Sequence, residues 1–197
     1  MNEKLYEKIT DTLVNDGYIV IENALSPEIS QNLHAYINAL TVLKQAGISA
    51  SNSQHVDSSK RRDKTKWLEE DKGIQSEYLA FILGLQNYLN RALYLGLNEY
   101  ESHFAVYEKG DFYETHLDAF KHSKNRVVTT VYYLNNEWNK EDGGELIIYN
   151  EENEFLRKVT PYANTLVIFL SEKFPHEVLP TKKTRYSIAG WFRVDGH

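Results

Sequence analysis

The chain has 197 residues and is 42% hydrophobic with 14 Tyr, 8 Phe and 3 Trp, which supports one packed core and excludes a disordered polymer. Its 22 Lys and Arg against 28 Asp and Glu leave a formal charge of −6, so no cationic excess favours coating phosphates, and nucleic acid is not an expected partner. The absence of cysteine rules out disulfides, thiolate zinc sites and cysteine nucleophiles, so any metal must rest on histidines and carboxylates.

The opening stretch Met1-Asn2-Glu3-Lys4-Leu5-Tyr6-Glu7-Lys8 is too polar for a signal peptide, and no run approaches the ~18 apolar residues of a membrane span. A cytoplasmic protein without a membrane partner is expected. Leu5, Ile9, Leu13 and Val14 recur at helical spacing until Asp16-Gly17 stops them, and the apolar run from Tyr18 to Ile21 predicts a strand. Ser26-Pro27-Glu28 places a capping Ser before a Pro at the first helical position, and Ile29, Leu33, Tyr36, Ile37 and Leu40 predict a second helix to about Leu43.

Residues 46–66 hold hardly any apolar side chain and predict a long mobile loop. The stretch 76–97 carries Tyr78, Leu79, Ile82, Leu83, Leu85, Tyr88, Leu89, Ala92 and Leu93, the strongest helical pattern of the chain. After Asn98, short runs rich in Val, Ile, Tyr, Phe and Thr predict about eight strands, near 103–108, 113–116, 126–134, 145–149, 154–159, 165–170, 176–178 and 184–194. The expected architecture is mainly β with N-terminal helices, a sandwich or jelly roll. One domain over 1–197 is expected, with helical support and the loop in 1–97 and the β core in 98–197.

His116-Leu117-Asp118 ends a predicted strand, where period-two alternation points His116 and Asp118 to one side, so the two can chelate one ion. A later histidine would complete a two-His, one-carboxylate face that leaves iron three open positions, and His176 is the best candidate. His-x-Asp also arises by chance. His55-Val56-Asp57 repeats it, but in the polar stretch with no strand to align the side chains, and is read as a decoy. Nine residues past His176 stands Arg185, inside an apolar strand whose alternation groups Arg185, Ser187, Ala189 and Trp191; a buried guanidinium there requires an anion, either a ligand or a protein carboxylate. Phosphate-loop and nucleophile-elbow motifs are absent, and Asp142-Gly143-Gly144 reads as a hairpin turn.

Through Phe104-Ala105-Val106-Tyr107, the stretch from Tyr113 to Asp118, Val131-Tyr132-Tyr133-Leu134-Asn135, Gly143-Gly144-Glu145-Leu146 and Pro175-His176-Glu177-Val178, the chain resembles the 2-oxoglutarate- and iron(II)-dependent oxygenases. Within them it is similar to the HIF-type prolyl 4-hydroxylases and their bacterial relatives acting on elongation factor Tu, from about Ile48 to Val194. The resemblance implies a double-stranded β-helix in which His116, Asp118 and His176 hold Fe(II), and Arg185 with Tyr133 binds the distal carboxylate of 2-oxoglutarate. It implies a cosubstrate pocket lined by Tyr107, Thr129, Val131, Leu146, Val178 and Trp191, with Tyr113, Arg61, Asp63 and Arg126 toward the substrate. Asp63 and Arg126 match a pair that ties the loop to the barrel, while Arg62 stands where the family usually has Gly.

The implied reaction consumes O2 and 2-oxoglutarate, with ascorbate as an accessory reductant, releases succinate and CO2, and hydroxylates a prolyl residue of a protein. A monomer is expected. The residues themselves leave open an oxygenase of a free amino acid or small metabolite, and a non-catalytic cupin-like metal-binding barrel in which Arg185 would lack a purpose.

Overall fold

The computed structural model describes residues 2–40, 44–45, 59–68, 73–119 and 125–195. Helix α1 (Glu3–Asn15) turns Ile9 and Leu13 inward and stops where Gly17 takes a φ of +77°, just before strand β1 (Tyr18–Ile21). Helix α2 (Pro27–Ala39) starts with Pro at its first turn, but the Ser26 hydroxyl binds the Glu28 carboxylate and caps no backbone N–H. Its end also precedes the expected Leu43, because Leu40 is already extended; residues 41–43 lie outside the described residues. Helix α3 (Ser76–Leu93) ends at left-handed Tyr94 rather than running to Leu97. The Asn90 side chain accounts for that, since its Oδ1 accepts from the Leu97 N–H and its Nδ2 donates to the Leu97 carbonyl, both at 2.7 Å.

The remaining strands are β2 (Lys44–Gln45), β3 (Lys64–Trp67), β4 (Glu99–Tyr107), β5 (Tyr113–His116), β6 (Arg126–Tyr133), β7 (Leu146–Tyr149), β8 (Phe155–Val159), β9 (Leu166–Leu170), β10 (His176–Val178) and β11 (Arg185–Arg193). All pair antiparallel, in a seven-stranded sheet of order β1-β9-β6-β11-β4-β3-β2 and a four-stranded sheet of order β5-β10-β7-β8, the two walls of the expected jelly roll. Alternation splits the large sheet between two cores. Phe104, Val106, Val128, Tyr132, Leu166, Ile168, Ile188 and Phe192 pack on the helical side with Leu33, Ile82 and Leu85. Ala105, Tyr107, Val131, Tyr133, Val167 and Phe169 face Leu146, Ile148, Val159 and Val178 of the small sheet.

Two loop expectations change. Asp142-Gly143-Gly144 is no hairpin: a short 3-10 helix (Lys140–Asp142) and two left-handed glycines carry the chain from the large sheet into the small one. The second half of the supposed loop is sheet. Its backbone bonds the start of β5 and the residue before it, through Glu114 N–H to Lys60 (2.8 Å) and Arg62 N–H to Phe112 (3.1 Å), then joins β4 as β3, so residues 60–67 span both walls. Residues 46–58, including His55-Val56-Asp57, lie outside the described residues.

Candidate active site

Strands β5 and β10 are neighbours in register, His116 opposite His176, and Asp118 follows β5 by two residues. The pairing draws the three expected ligands together: one nitrogen or oxygen from each lies within 4.8 Å of the others. His116 Nε2 is 3.6 Å from Asp118 Oδ1, and His176 Nε2 is 3.5 Å from Oδ2.

Each imidazole is oriented by its own strand. His116 Nδ1 lies 2.8 Å from the Glu114 carbonyl and His176 Nδ1 2.9 Å from the Phe174 carbonyl; a carbonyl only accepts, so Nδ1 carries the proton and Nε2 keeps its lone pair for a metal. Burial, then the charge of His176, pushes the His116 imidazole down to about 3. Burial opposes ionisation of Asp118, yet the charges of His176 and His116 prevail and hold its carboxyl near 2. A carboxylate at Asp118 and the Nε2 atoms of two imidazoles make a donor set that fits a divalent transition metal such as Fe(II).

Arg185 is 1% exposed, and no carboxylate among the described residues pairs with it. Its Nε donates to the Gly144 carbonyl at 2.8 Å and Nη1 to Ser187 Oγ at 3.3 Å, and Cζ sits 4.9 and 5.0 Å from the ring centres of Tyr107 and Tyr133. The Tyr133 hydroxyl, on the ring that the guanidinium overlies, is buried and makes no hydrogen bond among the described residues. Burial holds that hydroxyl above its ordinary pKa, so it remains a donor. An unpaired buried cation beside an unused donor is the arrangement that a ligand carboxylate completes. Among the described residues the structural ion-pair alternative therefore finds no acid for Arg185.

Of the other expected pocket residues, Tyr107, Val131, Leu146 and Val178 lie in the core between the sheets, and Trp191 is buried beside them on the Arg185 face of β11. Thr129 is placed differently: its hydroxyl donates to Asp118 Oδ2 at 2.8 Å. Tyr113 stacks on His116, and Arg61 lies over Tyr113 with Cζ 4.3 Å from the ring centre. The Asp63–Arg126 pair is not formed. Asp63, fully buried, takes the fork of Arg61 at 2.7 and 2.8 Å, while Arg126 binds Glu101 at 2.7 Å and lies 3.8 Å over the Trp191 ring, because each cation has a nearer acid.

Sequence reasoning missed His103. It shares the inward face of β4 with Ala105 and Tyr107, wedged edge-on between Trp67 (5.2 Å) and tilted Trp191 (5.4 Å). Period-two alternation applied to β4 would have found it.

The two walls of this jelly roll thus carry a His-Asp-His set able to hold a metal and a buried arginine that no carboxylate pairs with among the described residues. The comparisons agree: residues 102–193 match the 2OG-Fe(II) oxygenase superfamily, whose members use Fe(II), 2-oxoglutarate and O2. A Pseudomonas putida prolyl-4-hydroxylase is 33% identical, with a TM-score of 0.87 over 97% of this chain and 100% of that one. A Trichoplax adhaerens prolyl hydroxylase, solved in complex with a hypoxia inducible factor oxygen degradation domain peptide fragment, is 28% identical with a TM-score of 0.82 over 98% and 90% of the two chains. Human Egl nine homolog 1 is 30% identical over 94% of this chain and 46% of its own length; the chain spans about half the length of such curated relatives. This chain belongs to the 2OG-Fe(II) oxygenase superfamily. Among the described residues no helix is long and apolar enough to cross a membrane.

Proposed function

We propose that the chain is an Fe(II)- and 2-oxoglutarate-dependent prolyl 4-hydroxylase acting on a prolyl residue within a protein, with elongation factor Tu as the first candidate and the cytoplasm as its compartment. The observation that carries the reading is Arg185, buried and without a carboxylate partner among the described residues, beside the unused Tyr133 hydroxyl and the His116–Asp118–His176 set. The likeness to two prolyl hydroxylases along nearly the whole chain, one of them bound to a peptide, supports a protein substrate over a free metabolite.

In this reading His116, Asp118 and His176 would hold the iron, and Arg185 with Tyr133 would grip the far carboxylate of 2-oxoglutarate through forked, charge-assisted hydrogen bonds. Iron so bound would supply the oxidative chemistry in which 2-oxoglutarate, O2 and a C–H bond become succinate, CO2 and an alcohol. The chain contributes position and dryness. Tyr107, Val131, Leu146, Val178 and Trp191 would exclude water from the cosubstrate, so each polar contact acts in a low-dielectric space. Tyr113, Arg61, Asp63 and Arg126 would face the substrate, near the place where residues 60–67 join the two walls. Arg62 stacks on Phe112, with Cζ 5.0 Å from the ring centre, and so occupies a side-chain contact that the glycine usual here could not make.

The test is incubation of the purified chain with Fe(II), 2-oxoglutarate, O2 and elongation factor Tu, then with a cell extract, followed by peptide mass spectrometry. One oxygen added to a proline, matched by succinate, is the expected result. Succinate formation stimulated by free proline but by no protein would replace this reading with a small-metabolite oxygenase.

A further inference from the structure

Asp118 offers two oxygens, and the protein treats them differently. Oδ2 accepts the Thr129 hydroxyl at 2.8 Å, and Thr129 Oγ1 is 2.9 Å from Ser171 Oγ. Thr129 owns one hydroxyl proton and the carboxylate can only accept, so that proton goes to Asp118, and Ser171 must donate to Thr129. The relay Ser171 to Thr129 to Asp118 is buried throughout, at 0, 2 and 6% exposure, where hydrogen bonds in series strengthen one another. Ser171 is itself pinned: its N–H donates to the Val127 carbonyl at 3.0 Å, and its carbonyl accepts the Ala119 N–H at 3.4 Å. The same residue therefore ties β6, the end of β9 and the backbone next to Asp118.

We infer that Thr129, backed by Ser171, is a positioning residue that reserves Asp118 Oδ2 for the protein and leaves Oδ1 as the single oxygen for the metal. The inference rests on the iron-binding reading above. A six-coordinate metal held by two imidazoles and one carboxylate oxygen keeps three positions, enough for a chelating cosubstrate and one further small ligand. If both oxygens of Asp118 bound, only two would remain. The Thr129 hydroxyl thus sets how many positions the site leaves open.

Thr129→Val keeps the shape and removes the hydroxyl; Thr129→Ser keeps the hydroxyl and removes the methyl. Titration of each full-length variant with Fe(II), and with Co(II) followed by its visible absorption bands, reads affinity and coordination without turnover. Thr129→Val should bind ten- to a hundredfold more weakly, the usual effect of losing a partner of a metal ligand, and its Co(II) spectrum should differ from that of the parent. Thr129→Ser should restore both, and Ser171→Ala should shift both in the Thr129→Val direction by less. Parent-like affinity and spectrum in Thr129→Val, or equal losses in Thr129→Ser and Thr129→Val, would overturn the inference while leaving the iron reading intact. If Thr129→Val does not fold, a parent-like Ser171→Ala overturns it by itself. Failure of the unsubstituted chain to bind either metal overturns both.

Discussion

Tyr113 lies flat on His116, with ring centres 3.6 Å apart and planes within 17° of parallel. The stack continues outward, since Arg61 sits over Tyr113 and is clamped by Asp63, so a buried acid three contacts away restrains an expected metal ligand. An aromatic pair of this kind contributes about 0.5–1.5 kcal/mol beyond its buried area. Tyr113→Ala should therefore weaken Fe(II) binding about two- to tenfold, whereas Tyr113→Phe, which keeps the stack, should match the parent in the same titration. Equal affinity in all three would detach the stack from ligand positioning.

Replacing His116, Asp118 or His176 by Ala should abolish both Fe(II) binding and succinate production, because three ligands are the minimum for a held facial site. His55→Ala should do neither. Iron analysis after desalting decides between the two His-x-Asp motifs.

Arg185→Lys keeps the charge and loses the fork that reaches both Gly144 and an incoming carboxylate. The dissociation constant for 2-oxoglutarate, measured by calorimetry, should rise by the equivalent of about 1–3 kcal/mol, and Tyr133→Phe should cost less. An unchanged constant in Arg185→Lys would remove the main support for the cosubstrate assignment.

Burial, followed by the charge of Arg61, holds the His103 imidazole at about 4, against an ordinary 6.5. Between those values the unfolded chain takes up a proton that the folded chain refuses. The stabilising contribution is therefore complete above pH 6.5 and is lost as pH falls toward 4. In His103→Leu that loss is absent. Urea denaturation at stepped pH should show the parent losing, relative to the variant, on the order of 3 kcal/mol across this window. Parallel profiles would mean that His103 protonates freely in the folded state.

A methyl group on Gly190 would collide with the Tyr100 hydroxyl, which is committed to Tyr78 (2.9 Å) and to Thr130 (2.8 Å) behind the large sheet. Gly190→Ala should lower stability by about 1–3 kcal/mol in chemical denaturation, the range for overpacking a filled core. Full stability would show that the hydroxyl network can shift at no cost.

Local pattern made much of this architecture legible. The bounds of β1, β5 and β10 were readable to the residue, because each is a short apolar or alternating run with a turn signal beside it. The ends of α2 and α3 were not, because Leu40 and Leu97 fit a helical period while their backbones are fixed by neighbours the pattern does not contain. His116, Asp118, His176 and Arg185 were legible from spacing combined with resemblance. Asp63 was not recognisable as buried, since a stretch dense in charge reads as solvated and only the folded chain shows Arg61 covering it. Ser171 had no signal at all: its importance arises where β9 ends against Thr129, a meeting of segments 42 residues apart.

The position of β11 bears on how the protein is made. The last strand described is the central one of the large sheet, flanked by β6 and β4. On the ribosome, residues 99–107 and 126–133 emerge long before residues 185–193, and until then each exposes an edge that its native partner has not yet covered. The same nine residues that fill the gap also carry Arg185, so closure of the sheet and delivery of the proposed anion anchor are one event. A message interrupted upstream of Arg185 would therefore yield no partially active enzyme, only a chain with two open edges, destined for chaperones, proteolysis or aggregation.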